Sequence, residues 1–148
     1  MDEREKLLRC REYYYVDTIN DDDCSLAISK AVAIAKAYDK KITLAMSKLN
    51  YDIISSSTSV IHKIVSIATT DDNYDGCKFN LLIPDISRNE FSDITIVYDS
   101  PSGDVMRQAY YSNAKNIILI PVNKLDWELF FQAFHPILIS SGKEENKM

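Results

Sequence analysis

Residues 94–122, ITIVYDSPSGDVMRQAYYSNAKNIILIPV, hold the pattern that decides the fold. Two unbroken apolar runs, Ile94–Tyr98 and Ile117–Val122, flank a segment whose apolar side chains recur at helical spacing over Asp104–Asn113. Unbroken apolar runs are typical of strands that are covered on both faces, as in a parallel sheet. A strand, a helix and a second strand in this order indicate a parallel βαβ unit.

The same alternation extends in both directions from this unit. Apolar and β-branched runs predict further strands at Tyr13–Val16, Ile42–Met46, Phe79–Ile83 and Ile137–Ser140. Apolar residues at helical spacing predict helices at Ser25–Tyr38, Thr58–Ala68 and Trp127–Phe134. Lys48–Ser57 is ambiguous, and Thr69–Lys78 reads as a polar loop around Asp75-Gly76. We therefore expect an α/β fold, a small three-layer Rossmann-like domain with a mostly parallel sheet of about five strands.

The length of the chain suits one domain. It has 148 residues and a mass of 16.9 kDa, enough to bury a sizeable core without disulfides. The apolar pattern ends near residue 141, and residues 142–148 are rich in charged side chains. We expect a single α/β domain over residues 1–141 and a flexible C-terminal tail over residues 142–148.

Charge and composition exclude several classes of partner. The chain carries 22 acidic and 17 basic residues, for a net charge of −5. Proteins that bind duplex nucleic acid usually have a basic excess, so we expect no duplex partner. No apolar run is long enough for a secretory signal or a membrane span. The three cysteines are widely spaced and form no C-x-x-C pair. We expect a cytoplasmic protein with no membrane contact and no cofactor.

Polar segments come after each predicted strand. In an open parallel sheet, ligands bind outside the carboxyl ends of the strands, where the strand order reverses. The segments at that edge are Asp17–Asp23, Ser47–Lys48, Pro84–Ser87, Asp99–Asp104 and Asn123–Lys124. The residues that we predict to bind a ligand are Asp17, Thr18, Asn20, Ser47, Asp99, Ser100, Ser102, Gly103 and Asp104.

The segment Asp99–Asp104 is the most informative of these. A Ser/Gly loop between a buried strand and a helix directs backbone N–H groups to one point, where the helix dipole also favours an anion. Ser100 and Ser102 add hydroxyl groups. The alternative is a purely structural role, in which Ser102 caps the helix and Gly103 eases the turn. Neither the dinucleotide fingerprint G-x-G-x-x-G nor a P-loop is present, so a phosphate would be held in another way.

Two segments of the chain resemble the NYN branch of the PIN-like metal-dependent ribonucleases. An apolar strand ends in Asp17-Thr18-Ile19-Asn20, and a later apolar strand leads to Ser102-Gly103-Asp104 and a helix. The resemblance implies that Asp17 and Asp104 are ligands of Mg²⁺ or Mn²⁺ and that Asn20 supports them. The chain has Val105 and Met106 where that family has a further Asp.

These patterns support three functional hypotheses. The first is binding of a nucleotide or other phosphorylated small molecule at the carboxyl ends of the strands, which senses or sequesters it without turnover. The second is the metal-dependent ribonuclease that the resemblance implies, and the third is an acidic protein-interaction or inhibitor module. No catalytic residue is assigned, because no general base or complete metal set is visible. The aromatic stripe with Trp127, Phe130 and Phe131 suits either the core or a homodimer contact.

Overall fold

The computed structural model describes residues 11–38, 41–84 and 90–140. The predicted tail at 142–148 and the strand-end residues Asp85–Ser87 lie outside the described residues. The strands are β1 (Glu12–Tyr15), β2 (Lys41–Met46), β3 (Asn73–Tyr74), β4 (Cys77–Leu82), β5 (Ile94–Asp99), β6 (Asn116–Pro121) and β7 (Ile137–Leu138). The helices are α1 (Asp21–Ala37), α2 (Lys48–Ser55), α3 (Val60–Thr69), α4 (Asp104–Tyr110) and α5 (Glu128–Phe134), with a 3₁₀ turn at Lys124–Trp127 before α5.

The described strands form one mostly parallel sheet, which confirms the α/β prediction. The order is β3-β4-β2-β5-β6-β1-β7, and only β3 runs antiparallel to its neighbour. The sheet has seven strands where about five were expected, because two edge strands of two residues, β3 and β7, add to five longer ones. The order differs from the 3-2-1-4-5-6 order of dinucleotide-binding folds, since β1 lies between β6 and β7.

Helices cover both faces of the sheet, and the two faces differ in composition. On one face, which we call the aliphatic face, α1, α2 and α3 pack on the sheet through residues such as Ile28, Ile54 and Ile64. On the other, the aromatic face, α4, the 3₁₀ turn and α5 pack through Met106, Trp127 and partly buried phenylalanines. None of the helices in the described residues is long and apolar enough to cross a membrane.

Local capping explains two departures from the predicted elements. Helix α1 begins at Asp21 and not at Ser25, because Asn20 caps it by accepting the N–H of Asp23 at 2.8 Å. The ambiguous segment after β2 is helix α2, because Ser47 caps it by accepting the N–H of Asn50 at 3.1 Å. Both caps lie at the carboxyl edge of the sheet.

The segment predicted as a loop at Thr69–Lys78 contains a β-hairpin. Asp75 and Gly76 join β3 to β4 with φ angles of 53° and 80°. Positive φ at both positions is the geometry of the tight hairpin turn that Asp-Gly favours. The apolar pattern did not reveal it, because β3 has only two residues.

A buried arginine ties the start of the described chain to the aromatic face. Arg11 donates to the carbonyl oxygens of Tyr110 at 2.7 Å, Ser112 at 2.6 Å and Ala114 at 2.7 Å. Carbonyl groups at a helix C-terminus lack partners within the helix, and a cation satisfies them well. Arg11 therefore fixes the C-terminal end of α4 against β1.

Candidate functional site

The sheet order decides which predicted site residues are neighbours. β2 and β5 are paired, so Ser47 and the loop after Asp99 come after adjacent strands. Their chains lead to helices on opposite faces of the sheet, which is the arrangement that opens a crevice at a strand end. Asp17 comes after β1, which β6 separates from β5. Two strand spacings, roughly 10 Å, therefore separate the ends of β1 and β5.

The loop after β1 is organised by hydrogen bonds within itself. Asp23 accepts the backbone N–H of Thr18 at 2.9 Å and its hydroxyl at 3.0 Å. The hydroxyl of Thr18 in turn lies 3.3 Å from the N–H of Asn20, which caps α1. Thr18 and Asn20 thus hold the entry to α1 in place, and Asp23 closes the turn.

Asp17 forms an ion pair with a lysine that follows the neighbouring strand β6. Lys124 comes after β6 and forms an ion pair with the carboxylate of Asp17. The hydrogen bond from Lys124 to Asp17 raises the pKa of the lysine. This lysine was predicted only as part of the strand-end segment Asn123–Lys124. The ion pair links the ends of β6 and β1. The two residues are far apart in the sequence, and no pattern in the sequence indicates that they pair.

The end of β5 contains a buried acid. Asp99 is buried, and burial raises the pKa of its carboxyl group. Hydrogen bonds from the backbone N–H groups of Ser100, Met106 and Val105 each lower the pKa, but by less than burial raises it. One of its oxygens, Oδ2, has no hydrogen-bond partner in the described part of the chain. Asp99 therefore lies against the start of α4, at the place where the anion cradle was predicted.

Gly103 is the residue that makes room for this carboxylate. A Cβ atom at Gly103 would lie 2.1 Å from Oδ2 of Asp99 and 2.7 Å from its Cγ. Gly103, and not Ser102, is the N-cap of α4, and no side chain caps the helix. The loop is thus built around the contact between Asp99 and Gly103, and a bound anion at the helix start would share that space with Asp99.

Ser47, on the other side of the crevice, also has a structural role. Besides capping α2, Ser47 brings Asn50 close to the end of β5, where the Asn50 amide donates to the carbonyl oxygen of Tyr98 at 3.3 Å. Asn50 is buried, and sequence inspection did not single it out. The link holds α2 against the end of β5.

A groove between α4 and α5 begins at Ser102 and Gly103. We call it the α4–α5 groove, and its volume is 390 Å³. Its described lining residues are Pro101, Ser102, Gly103, Met106, Arg107, Tyr110, Tyr111, Phe130 and Phe134. Only Ser102 and Gly103 of these were predicted to bind a ligand. The others were missed because α4 and α5 are distant in sequence, although Arg107 lies one helical turn after Gly103.

Aromatic rings form one wall of this groove. The Tyr110 ring lies edge to face with the Tyr111 ring, at 5.0 Å between centroids, and with the Phe134 ring at 5.9 Å. Phe130 and Phe134 stack at 4.5 Å. Arg107 lines the same groove, and one of its guanidinium nitrogens lies 3.5 Å from a carboxylate oxygen of Asp104 on an exposed surface. The α4–α5 groove thus combines a cation, a hydroxyl group and aromatic faces.

A second groove, of 490 Å³, lies at the opposite edge of the sheet. Glu12, Asp93 and Lys115 line it together with Tyr14 and Tyr38. The hydroxyl of Tyr14 donates a hydrogen bond to Glu12 at 2.7 Å, so part of the groove's polar surface is already hydrogen-bonded within the protein. None of the predicted ligand-binding residues lies there.

The two carboxylates that the resemblance assigned to a metal are held apart. Asp17 and Asp104 come after strands that are not neighbours, and they pair with Lys124 and Arg107 respectively. Among the described residues, no three His, Cys, Asp or Glu side chains come together in a group that could hold a metal ion.

The thiol at the start of α1 is unsuited to nucleophilic chemistry. Burial, together with the nearby carboxylates of Asp21 and Asp23, raises the pKa of Cys24 to about 12. The thiolate is the reactive form, so Cys24 stays protonated and inert at neutral pH.

Comparison of the chain with protein-family models, with curated proteins and with solved structures gives no match. Function is therefore inferred from the geometry of the chain itself.

Proposed function

We propose that this three-layer, Rossmann-like domain binds a nucleotide or another phosphorylated small molecule with a planar ring, without turning it over. The α4–α5 groove is the proposed site. The observation that carries the proposal is the presence of Arg107, Ser102 and several aromatic rings around one volume of 390 Å³. Ligand pockets typically measure about 300–1,000 Å³ and combine apolar walls with a few polar groups.

The phosphate end of the ligand is assigned to Arg107. A guanidinium group binds phosphate oxygens with two parallel hydrogen bonds. The 3.5 Å separation from Asp104 exceeds ordinary hydrogen-bond length, and the pair is exposed, so it holds the guanidinium weakly. Ser102 lines the same groove, and its hydroxyl can supply a further donor.

The ring end of the ligand is assigned to the aromatic wall. Bases stack on tyrosine and phenylalanine rings for about 1–3 kcal/mol per base. Tyr111 and Phe134 are both partly exposed at the groove, so a ligand ring can reach them. The described lining residues offer charge, hydrogen bonds and stacking, but no nucleophile beside a base. Such a lining favours sensing or sequestration of the ligand over its conversion.

Isothermal titration with ATP and AMP tests the proposal directly. We expect Arg107→Ala to weaken binding at least tenfold, because a charge-assisted hydrogen bond contributes about 1.5–3 kcal/mol. Lys63→Ala is the matched control, since it also removes one exposed positive charge but lies in α3 on the aliphatic face. Its affinity for both nucleotides is expected to equal that of the unaltered chain.

Native mass spectrometry of gently purified protein supplies an independent readout. A retained mass of nucleotide size, lost on Ser102→Asp substitution, would support the proposal and name the ligand class. Absence of binding to ATP, AMP and inorganic phosphate at about 1 mM, a concentration that detects even very weak ligands, would overturn it. Equal loss of affinity in Arg107→Ala and Lys63→Ala would overturn the assignment to the α4–α5 groove.

A further inference from the structure

The second groove lies where three neighbouring parallel strands begin, and we call it the amino-edge groove. Glu12 of β1 pairs with Asn116 of β6, which pairs in turn with Ile94 of β5. Paired residues of parallel strands point to the same side, so these three side chains lie on the side of the sheet that α1 covers. The residues just before two of them, Asp93 and Lys115, also line the groove, whose volume is 490 Å³.

Charged groups of both signs lie in the amino-edge groove without pairing with each other. The backbones of Asp93 and Lys115 are in contact, since the N–H of Lys115 donates to the carbonyl oxygen of Asp93 at 2.9 Å. Within the described chain, no hydrogen bond or ion pair engages the side chains of Asp93, Lys115 or Asn116. A carboxylate, an ammonium group and an amide are therefore free to bind a ligand that enters the groove.

A second carboxylate, that of Glu12, is held in position by a hydrogen bond. The hydroxyl of Tyr14 donates to Oε2 of Glu12 at 2.7 Å. Burial and this hydrogen bond raise the pKa of Tyr14 to about 12, so the hydroxyl remains a donor at neutral pH. A carboxylate offers about four lone-pair positions on its two oxygens. Glu12 can therefore accept further hydrogen bonds from a ligand.

The C-terminal end of α1 adds partial negative charge and an apolar wall. Ile34 lies in the last turn of α1 and Tyr38 is its C-cap, and both line the groove. The last carbonyl groups of a helix lack partners within the helix, and the dipole there favours a cation. Lys36, the basic residue of the same turn, instead forms an ion pair with Asp75. The side chain of Tyr38 is 86% exposed, so its ring is accessible to a ligand.

We propose that the amino-edge groove binds a free amino acid with an apolar side chain, and an aromatic one best. The ammonium group of the ligand binds the carboxylates of Glu12 and Asp93, near the end of α1. Its carboxylate group binds the ammonium group of Lys115 through a charge-assisted hydrogen bond. Its side chain packs on Ile34 and on the ring of Tyr38.

The charges of the groove favour a zwitterion over an ion of one sign. A simple amine would bring its positive charge beside Lys115, and a simple carboxylate would bring its negative charge beside Glu12 and Asp93. An amino acid carries both charges close together, so each can face a group of opposite sign. The volume of 490 Å³ lies within the range of about 300–1,000 Å³ that is typical of small-molecule sites.

Isothermal titration of the full chain with L-phenylalanine tests the proposal. We expect a Kd below about 1 mM. Two analogues test the need for both charges: phenethylamine lacks the carboxylate group, and 3-phenylpropanoate lacks the ammonium group. Each is expected to bind at least about tenfold more weakly than L-phenylalanine, because charge-assisted hydrogen bonds are lost. Equal affinity for either analogue would overturn the assignment of a zwitterion.

Two variants locate the binding site. Lys115→Gln should weaken binding of L-phenylalanine at least about tenfold, and it should leave binding of phenethylamine unchanged, because that analogue has no carboxylate group. Asp93→Asn should weaken binding of both compounds. The matched controls are Lys63→Gln and Asp22→Asn, which remove the same charges at exposed positions on α3 and α1 that do not line the groove. Both controls are expected to bind L-phenylalanine like the unaltered chain.

Three results would overturn the proposal. The first is no binding of L-phenylalanine at about 1 mM, a concentration at which even weak specific ligands are detected. The second is unchanged affinity in folded Lys115→Gln and Asp93→Asn, which would place the ligand elsewhere, and the third is an equal loss in the controls. Circular dichroism verifies that each variant is folded. The comparison of analogues uses the unaltered chain, so it stays decisive if a variant does not fold.

Discussion

The two faces of the sheet are covered in different ways. Helices α1, α2 and α3 cover the aliphatic face, and their isoleucine, valine and alanine side chains on that face are almost completely buried. The aromatic face is covered by the short helices α4 and α5, and α5 has no fully buried residue. Rings that pack edge to face, such as those of Tyr110 and Phe134, line the α4–α5 groove on this face.

The difference between the two faces suggests that one serves mainly stability and the other also serves recognition. Close packing of branched aliphatic side chains gives a rigid core with little accessible surface. Aromatic side chains at interfaces combine a large contact area with a polar or exposed edge. We therefore expect changes in the core of the aliphatic face to act on stability, and changes at the α4–α5 groove on the aromatic face to act on ligand binding as well as on stability.

The largest expected effect comes from a matched pair of phenylalanines, one on each face. Phe79 on β4 is 1% exposed and Phe134 on α5 is 41% exposed. Phe79→Ala should lower the free energy of unfolding by about 3–5 kcal/mol, because it leaves a cavity in the aliphatic core. Phe134→Ala should cost about 1 kcal/mol, because the ring is already partly in solvent. Urea unfolding followed by circular dichroism measures both, and equal losses would erase the distinction between the faces.

A smaller effect is expected at the start of α4. Gly103→Ala should destabilise the chain by about 1–3 kcal/mol, because the added methyl group collides with the carboxylate of Asp99. In an Asp99→Ala background the same substitution should cost much less, since the collision is gone. Thermal unfolding of the four proteins of this double-mutant cycle measures the coupling. Additive losses would show that the contact does not organise the loop.

The smallest effect is a change in pH dependence. Burial raises the pKa of Asp99 above the 3.8 of a free Asp, so the folded state holds this proton more tightly than the unfolded state. Its contribution to stability is therefore complete at low pH and is lost as the pH rises from about 4 through the raised pKa. Asp99→Asn removes this loss, so its stability relative to the unaltered chain should increase with pH over that interval. Unfolding midpoints measured from pH 3 to pH 7 test the sign, and a constant difference between the two proteins would refute it.

Only the beginning of the candidate site was predictable from the sequence, since Ser102 and Gly103 are the predicted residues that line the α4–α5 groove. The polar loops after β1, β2 and β5 were placed at the carboxyl edge from the strand pattern alone, and Asn20 and Ser47 are engaged there as helix caps. Arg107, Tyr110 and Phe134 were not predicted, because their meeting depends on how α4 and α5 lie across the same face. The segment of helix α2 is ambiguous in the sequence, since eight residues carry too little periodicity to separate a helix from a strand.

The sequence by itself determined the class of fold. Unbroken apolar runs such as Ile117–Ile120, which alternate along the chain with segments of helical spacing, are typical of strands in a sheet that is covered on both faces. Those patterns are local, repeating over two to four residues, and they say which side chains must be buried. Only the tertiary structure decided the strand order, with β1 between β6 and β7. Pairing between distant strands depends on the packing of the whole chain, and every apolar strand suits several neighbours equally well. For the same reason the pairing of Asp17 with Lys124 and the α4–α5 groove belong to the tertiary structure alone.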